Sequence, residues 1–116
     1  MTTITINNCV YFVHPVYDLY ASDYDGNVIN IIKKEPHKGN KTKKGYLNVC
    51  VRKHAQPSYK NYQTHHFIWE CFNGIIPEGF VIDHINKNKE DNRLWNLQLM
   101  IKIKGSFELP HGIFWN

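Results

Sequence analysis

The stretch FVIDHINKNKEDNRLWNLQLM, residues 80–100, decides how this chain is interpreted. An apolar run ends in Asp83 and His84, a polar loop follows, and apolar character resumes at Leu94. Acidic and imidazole side chains are poor choices for the end of a buried strand, because burying a charged group costs free energy. We therefore expect a functional site where this strand ends.

Asp83 and His84 have complementary chemistry. A carboxylate is a hard oxygen ligand that suits Mg²⁺ or Mn²⁺, and a neutral imidazole can accept a proton near neutral pH. Hydrolysis of a phosphodiester needs a cation that offsets charge on the phosphate and a base that activates water. The alternative interpretation is that the two are ordinary surface residues, so the neighbouring sequence is needed to choose between the interpretations.

The loop INKNKEDNR, residues 85–93, is rich in asparagine and in basic side chains. Asparagine tolerates left-handed backbone and forms local hydrogen bonds that stabilise loops. Lys87, Lys89 and Arg93 can neutralise phosphates. We expect Asn96 to hydrogen-bond across to the preceding strand end and hold the loop closed, and an ordinary turn residue is the alternative for this position.

The composition indicates a folded protein with a local excess of positive charge. A chain of 116 residues, 42% of them apolar, suits one compact domain and excludes a disordered polypeptide. The net charge is +4, and residues 33–53 concentrate it. Their basic residues are Lys33, Lys34, Lys38, Lys41, Lys43, Lys44, Arg52 and Lys53. Such a cluster favours phosphate backbones, and a solvated lysine loop is the alternative.

Membrane and secreted classes are not indicated. The sequence has no run of about eighteen apolar residues. Its N-terminus also lacks the basic segment followed by an apolar segment that is typical of a secretory signal. We therefore expect an intracellular protein with no membrane partner. Cys9, Cys50 and Cys71 are widely spaced and form no CxxC pair, so neither a cysteine zinc site nor a disulfide framework is indicated.

Local patterns predict an α+β protein with short antiparallel hairpins and few helices. Asp25-Gly26 between apolar flanks predicts a hairpin turn within residues 20–32. Apolar residues at helical spacing predict a helix from Thr64, which can cap it, to Gly74, which can end it. The other predicted elements are strands at 47–51, 80–82 and 97–103, a mobile loop at 33–45 and a turn at 55–62.

The locations of several aromatic and histidine residues, in the core or at the surface, are predicted from their neighbours in sequence. Trp69 and Trp95 lie in apolar segments, so we expect both in the core. For His14, His37 and His54 no partner can be identified, and we expect ordinary surface or loop residues.

Residues 81–100 resemble the HNH endonuclease motif of phage and intron-encoded homing endonucleases, which runs roughly DHIDGNKxNNRxxNLxW. THHFIWECFNGIIPEGF, residues 64–80, is similar to the helix and turn HRLVAxAFxGPxPxGY of that family. YASDYDGNVINI, residues 20–31, with KKGYLNVCVRK, residues 43–53, resembles the small DNA-binding hairpin region that often precedes the motif. The resemblance covers about residues 17–100.

The resemblance implies a role for individual residues. His84 corresponds to the general base, and Asp83 to a ligand of a divalent metal, Mg²⁺ or Mn²⁺. Asn96 corresponds to the middle asparagine, which orients the loop and the histidine. His65 corresponds to the histidine that opens the family's helix and is expected to support the site or the structure. The residues expected to contact DNA are Lys33, Lys34, Lys41, Lys43, Lys44, Arg52, Lys87, Lys89 and Arg93.

The implied fold is the ββα-metal arrangement, in which a strand, a loop, a second strand and a helix surround the metal. We expect residues 1–60 to form an N-terminal β-hairpin region that contacts DNA, and residues 61–105 to form the HNH motif. Residues 106–116 are expected to be a tail. Its end, LPHGIFWN, resembles the opening of an Apetala-type DNA-binding module, so one interpretation is a truncated downstream module.

One position departs from the family pattern. The last metal ligand is usually Asn or His, but the aligned residue is Gly105, which has no side chain that can ligate. Glu108 and His111 are the nearest substitutes, although Pro110 argues against a long helix there. Three interpretations are open: Asp83 holds the metal with a displaced residue and DNA phosphates, the site is degenerate, or another chain or segment supplies the ligand.

Together these features predict an HNH-type endonuclease that nicks or cleaves double-stranded DNA, of phage or mobile-element origin. Beyond the divalent metal no small-molecule cofactor is expected, and monomer and homodimer both stay open. The alternative function is a non-catalytic DNA-binding protein on a degenerate HNH fold. An RNA-binding or structural module with an incidental Asp-His pair is a more remote alternative.

Overall fold

The computed structural model describes residues 2–53 and 56–102. This part of the chain contains ten short strands, one α-helix and one 3₁₀ helix, Leu94–Asn96. His54, Gly105, Glu108, His111 and the 106–116 tail lie outside the described residues. The strands are β1 Thr3–Ile6, β2 Cys9–Val13, β3 Tyr20–Ser22, β4 Val28–Asn30, β5 Pro36–His37, β6 Asn40–Lys41, β7 Leu47–Val51, β8 Lys60–Gln63, β9 Phe80–His84 and β10 Leu97–Ile101, and the helix is α1 Thr64–Asn73.

The strands form three antiparallel sheets. Strands β1 to β5 follow one another in a five-stranded sheet, β6 to β8 form a three-stranded sheet, and β9 pairs with β10. The predicted Asp25-Gly26 hairpin is confirmed, because Tyr20 lies opposite Asn30 across it and Gly26 has a φ of +88°. No helix in the described part of the chain has the length and apolar character needed to cross a bilayer.

Helix α1 contacts strands of all three sheets. Its buried face includes Phe67 and Ile68, and Gly74 ends it with a φ of +87°, as predicted. The predicted cap is wrong. Gln63 occupies the capping position and makes no side-chain cap hydrogen bond, because strand β8 leads directly into the helix and Thr64 lies inside its first turn.

The main core joins the N-terminal strands to the helix and to the β9–β10 hairpin. Its fully or nearly buried residues are Leu19, Tyr20, Val28, Val49, Val51, Phe67, Ile68, Cys71, Phe72, Ile82 and Leu97. The alternation predicted for residues 47–51 is confirmed, since Val49 and Val51 are buried while Cys50 is exposed. The predicted α+β class is likewise confirmed.

Three expectations from local sequence are wrong. Lys60–Gln63 is a strand rather than a turn, because pairing with β7 outweighs the turn-like composition. Trp95 is 61% exposed, and within its one-turn 3₁₀ helix only Asn96 is buried. His14 is buried, where its Nε2 hydrogen-bonds Glu70 Oε1 at 2.8 Å.

Candidate functional site

Asp83 and His84 are neighbours at the end of strand β9. Asp83 lies opposite Gln98 on β10, and His84 lies opposite the buried Leu97. The Asp83 carboxylate is partly exposed, and its Oδ2 accepts a 3.1 Å hydrogen bond from Gln98 Nε2. Lys87 Nζ lies 3.6 Å from the same oxygen. Consecutive side chains of a strand point to opposite faces, so the carboxylate and the imidazole have different surroundings.

His84 is held by a residue that sequence reasoning missed. Its ring is only 4% exposed, and its Nε2 lies 2.7 Å from Asn92 Oδ1. Because an amide oxygen can only accept a hydrogen bond, Nε2 is the donor, and in the neutral ring Nδ1 then carries the lone pair. Asn92 is one of many loop asparagines in the sequence, and no local signal separates it from the others.

Asn92 is positioned by the N-terminal β3–β4 hairpin. A Cβ atom at Gly26 would lie 3.1 Å from the Asn92 carbonyl carbon, so only a glycine permits this close approach. Leu94 N donates to Tyr24 O at 2.9 Å in the same region. The hairpin turn thus holds the backbone that carries the partner of His84.

Asn96 is fully buried and closes the loop that follows His84. Its Oδ1 accepts from Asn86 N at 3.0 Å, and its Nδ2 donates to Asn86 Oδ1 at 2.9 Å and to Asp91 O at 2.8 Å. Its backbone oxygen accepts from Ile85 N at 2.8 Å. These contacts match the loop-holding geometry expected of Asn96, while its contribution to catalysis stays a prediction.

Arg93 is bound inside the same loop. Its Nε and Nη2 each donate to the Asp91 carboxylate at 2.8 Å, and its guanidinium lies 4.7 Å from the centre of the Trp95 ring. The hydrogen bonds from Arg93 hold the pKa of Asp91 well below its usual range. Arg93 therefore stabilises the loop, and its predicted contact with DNA stays a prediction.

His65 lies beside the candidate base, as expected from its place at the start of α1. The His65 and His84 ring centres are 4.7 Å apart, and Tyr46 stacks on His65 at 5.3 Å. Burial, with a smaller effect of the neighbouring His66 and His84, lowers the pKa of His65 to about 2. His65 is therefore a neutral imidazole at physiological pH.

A cleft of about 770 Å³ opens on the Asp83 side of the β9–β10 hairpin. Its charged and imidazole lining residues are Lys43, Lys44, His65, His66, Asp83 and Lys102. The cleft thus combines one carboxylate with three lysines. His84 is not among the residues that line it, but its ring centre lies 4.7 Å from that of His65, which does.

The predicted DNA contacts are divided among several environments. Only Lys43 and Lys44 line the cleft. Lys41 forms a 3.0 Å ion pair with Glu90, and Lys89 donates to Lys44 O at 2.9 Å. These two contacts tie the β6–β7 hairpin to the loop after His84.

Three other members of the predicted set lie away from the cleft. Lys33 lines a separate cavity of about 330 Å³, and the Arg52 guanidinium lies 5.8 Å from the Tyr59 ring centre. Lys34 is exposed in the turn after β4. The structure therefore brings Asp83 together with Lys43, Lys44 and Lys87, but it does not bring Lys33, Lys34 or Arg52 to the same cleft.

The donor set for a metal is small. Within residues 2–53 and 56–102, no three His, Cys, Asp or Glu side chains form a group that could hold an ion. Mg²⁺ is commonly held by one or two carboxylates, with water and substrate phosphates completing its octahedron. Asp83, a partly exposed carboxylate on a cleft, fits that mode of binding.

Comparisons with known proteins agree with this geometry. Residues 62–102 match the family model of the HNH endonuclease. Over 87% of this chain and 53% of the other, the fold is similar to that in the structure "DNA binding and cleavage by the HNH homing endonuclease I-HmuI", with a TM-score of 0.62 and 27% identity.

Two phage proteins are similar in sequence. Protein 3.8 of Escherichia phage T7 is 37% identical over 51% of this chain and 49% of its own length. The uncharacterized gene 5.3 protein of Enterobacteria phage T3 is 32% identical over 57% of this chain and 63% of its own length. The chain thus spans about half to two thirds of the length of these relatives.

Proposed function

Because this chain belongs to the HNH nuclease family through the domain at residues 62–102, we propose that it is a metal-dependent endonuclease acting on double-stranded DNA. The reaction is hydrolysis of a phosphodiester bond, by nicking or cleavage. One observation carries the proposal: the Asp83 carboxylate opens onto a lysine-lined cleft, next in sequence to an imidazole whose orientation a buried asparagine holds.

His84 is the proposed proton acceptor. With the proton on Nε2 held by Asn92, the lone pair on Nδ1 can accept a proton from a water molecule as the water attacks phosphorus. The bond from phosphorus to the leaving ester oxygen breaks, this oxygen takes a proton from solvent, and His84 returns to its neutral form when its own proton passes to solvent. Asn96 contributes indirectly, because its hydrogen bonds hold the loop that carries Asn92.

Asp83 is the proposed ligand for Mg²⁺ or Mn²⁺. When bound there, such an ion offsets the negative charge that develops on the attacked phosphate. The carboxylate is pre-oriented by Gln98, while Lys87 at 3.6 Å is an exposed side chain that can turn toward solvent or phosphate.

Positive charge around the cleft supports binding of a DNA backbone. Lys43 and Lys44 line it directly, and their contacts with phosphate would position a duplex without reading its sequence. The N-terminal region, residues 1–60, carries these lysines on the β6–β7 connection and is the proposed DNA-contacting part. Lys33, Lys34 and Arg52 would then contact DNA at the periphery of the complex.

A second candidate function is favoured by the burial of His84. An imidazole that is 4% exposed has little access to an attacking water, and the described residues supply one metal ligand. A DNA-binding protein that has kept the HNH fold without catalysis would have this geometry. It would bind duplex DNA with strong dependence on salt and would not cleave it.

A plasmid-nicking assay separates the two functions. With Mg²⁺ or Mn²⁺ the chain should convert supercoiled plasmid to the nicked or linear form, and a chelator should stop the reaction. His84→Ala should lower the rate by roughly 10²- to 10⁴-fold, the usual contribution of a general base, while the affinity for duplex DNA stays within two-fold.

The matched control is His37→Ala, which removes an exposed imidazole on β5 and should leave nicking unchanged. Nicking by His84→Ala at the unaltered rate would contradict the proposed role of His84. DNA binding without any metal-dependent nicking by the unaltered chain would instead support the non-catalytic function.

A further inference from the structure

The first turn of α1 borders the cleft and has no side-chain cap. The first N–H groups of a helix have no partner within the helix, and the helix dipole gives this end partial positive charge. Gln63 provides no side-chain cap, and the first turn contains no acidic residue. Gln63, His65 and His66 all line the cleft, so this end of α1 borders it.

A second, independent observation at the same place points to a ligand. His65 is 2% exposed, and its Nδ1 has no hydrogen-bond partner within the described residues. A buried polar atom without a partner destabilises the folded state, and native structures contain few of them. Burial keeps the ring neutral, since it lowers the pKa of His65 to about 2, and a neutral ring can donate through one N–H.

The charge around this point suits an anion. Lys43, Lys44 and Lys102 line the cleft, and Asp83 is its one acidic lining residue within the described part of the chain. Backbone N–H groups at a helix N-terminus together with lysine side chains are a common arrangement for binding phosphate.

We propose that the N-terminus of α1, with His65 Nδ1 and Lys43 and Lys44, is a phosphate-binding subsite for a nucleic-acid strand, separate from the phosphate attacked beside Asp83. The identification of this phosphate as part of a nucleic-acid strand rests on the proposed function. Its role is to anchor a neighbouring phosphate of the strand, which would set where the backbone lies relative to Asp83.

Gln63→Asp is a sharp test of this subsite. An aspartate at the capping position can accept hydrogen bonds from the first-turn N–H groups, which stabilises the helix, but its carboxylate occupies the donors that phosphate needs. We expect the melting temperature to rise and the affinity for phosphate-bearing ligands to fall on the order of ten-fold. Loss of folding cannot produce this combination.

Binding is measured on the full chain with a chelator present, so that cleavage plays no part. The probes are inorganic phosphate and a short DNA duplex, and the readout is the NMR shift of the His65, His66 and Phe67 amides. Gln56→Asp is the control, because it introduces the same charge at another exposed glutamine, and it should change either affinity by less than two-fold.

Shifts at these three amides with the duplex, weakened by Gln63→Asp and not by Gln56→Asp, support the subsite. No shift with either probe overturns it, and shifts with inorganic phosphate alone overturn its assignment to nucleic acid. A chain that fails to nick plasmid can still give the supporting result, so failure of the proposed function and failure of the subsite are distinguishable.

Discussion

At the scale of single residues, the hydrogen bond between His84 and Asn92 decides which imidazole nitrogen can accept a proton. The Asn92 oxygen accepts from Nε2 at 2.7 Å, while its Nδ2 has no partner within the described residues. Only the oxygen of this side chain therefore acts on His84. Asn92 is a positioning residue, since it would act on the reaction through His84.

Two substitutions of Asn92 should distinguish the effect of its side-chain oxygen from the effect of its size. Asn92→Ala removes the acceptor and frees the ring to adopt the other tautomer, so we expect the maximal nicking rate to fall roughly 10- to 100-fold, as for other residues that orient a catalytic side chain. Asn92→Asp keeps an oxygen at the same position and should recover most of the rate.

The measurements are single-turnover nicking rates across pH and the melting temperature of each variant. A purely structural role predicts that the rate follows the melting temperature. Equal rates and equal pH profiles for Asn92→Ala and the unaltered chain would contradict the positioning role.

Sequence reasoning reached some of these residues and not others. Asp83, His84 and Asn96 were recognisable because they form a local pattern on one continuous stretch. Asn92 was not, because its importance comes from a contact with His84 in three dimensions. His14 was misjudged for the same reason, since its partner Glu70 lies far along the chain.

At the scale of elements, two hairpins from the N-terminal half support the loop after His84. The β3–β4 turn packs Gly26 against Asn92, and the β6–β7 connection contacts the loop through Lys41 with Glu90 and through Lys44 with Lys89. The candidate site therefore depends on segments that contribute no catalytic side chain.

Gly26→Ala should disturb the site from a distance. The new Cβ would have to share space with the Asn92 backbone at 3.1 Å, and the φ of +88° would be strained by about 1–3 kcal/mol. We expect a lower free energy of unfolding and slower nicking, because the displaced Asn92 releases His84.

Gly79→Ala provides the matched control. Gly79 has almost the same φ, +86°, but a Cβ there would meet no atom within 4 Å. Both variants should lose stability through strain, measured by chemical denaturation, while only Gly26→Ala should also slow nicking. Equal nicking rates for the two variants would show that the turn does not position Asn92.

At the scale of the whole molecule, a buried polar network joins the N-terminal sheet to α1 and strand β8. Glu70 Oε1 accepts hydrogen bonds from His14 Nε2 and from the Tyr62 hydroxyl, and Oε2 accepts from Ile76 N at 3.0 Å. His14 Nδ1 in turn accepts from Val16 N and Tyr17 N. The network spans segments that are distant in sequence.

The network predicts loss of stability in acid. Burial alone would raise the pKa of Glu70, but the hydrogen bonds from His14, Tyr62 and Ile76 outweigh it and lower that pKa below the usual 4.5. The stabilisation is therefore complete above about pH 4.5, where the unfolded glutamate is also ionised, and it is lost as the pH falls through the lower pKa of the folded state.

Glu70→Gln should reduce this dependence. The amide cannot accept from all three donors, so the free energy of unfolding at pH 7 should fall by about 1–3 kcal/mol, and the decrease between pH 5 and pH 3 should become shallower. Glu78→Gln, at an exposed glutamate, is the control. A steep acid limb that persists unchanged in Glu70→Gln would contradict the prediction, with denaturant unfolding at each pH as the measurement.

Local sequence predicted several elements and the family resemblance: the Asp25-Gly26 turn, the α1 periodicity, the alternation of β7, and the Asp83-His84 pattern with its loop. These features depend on residues near one another in the chain, so turn chemistry and periodicity report them directly. Three-dimensional contacts were needed to show that Asn92 holds His84, that Gly26 supports Asn92, and that the uncapped end of α1 borders the cleft. Those contacts join segments far apart in sequence, and packing and mutual burial bring them together.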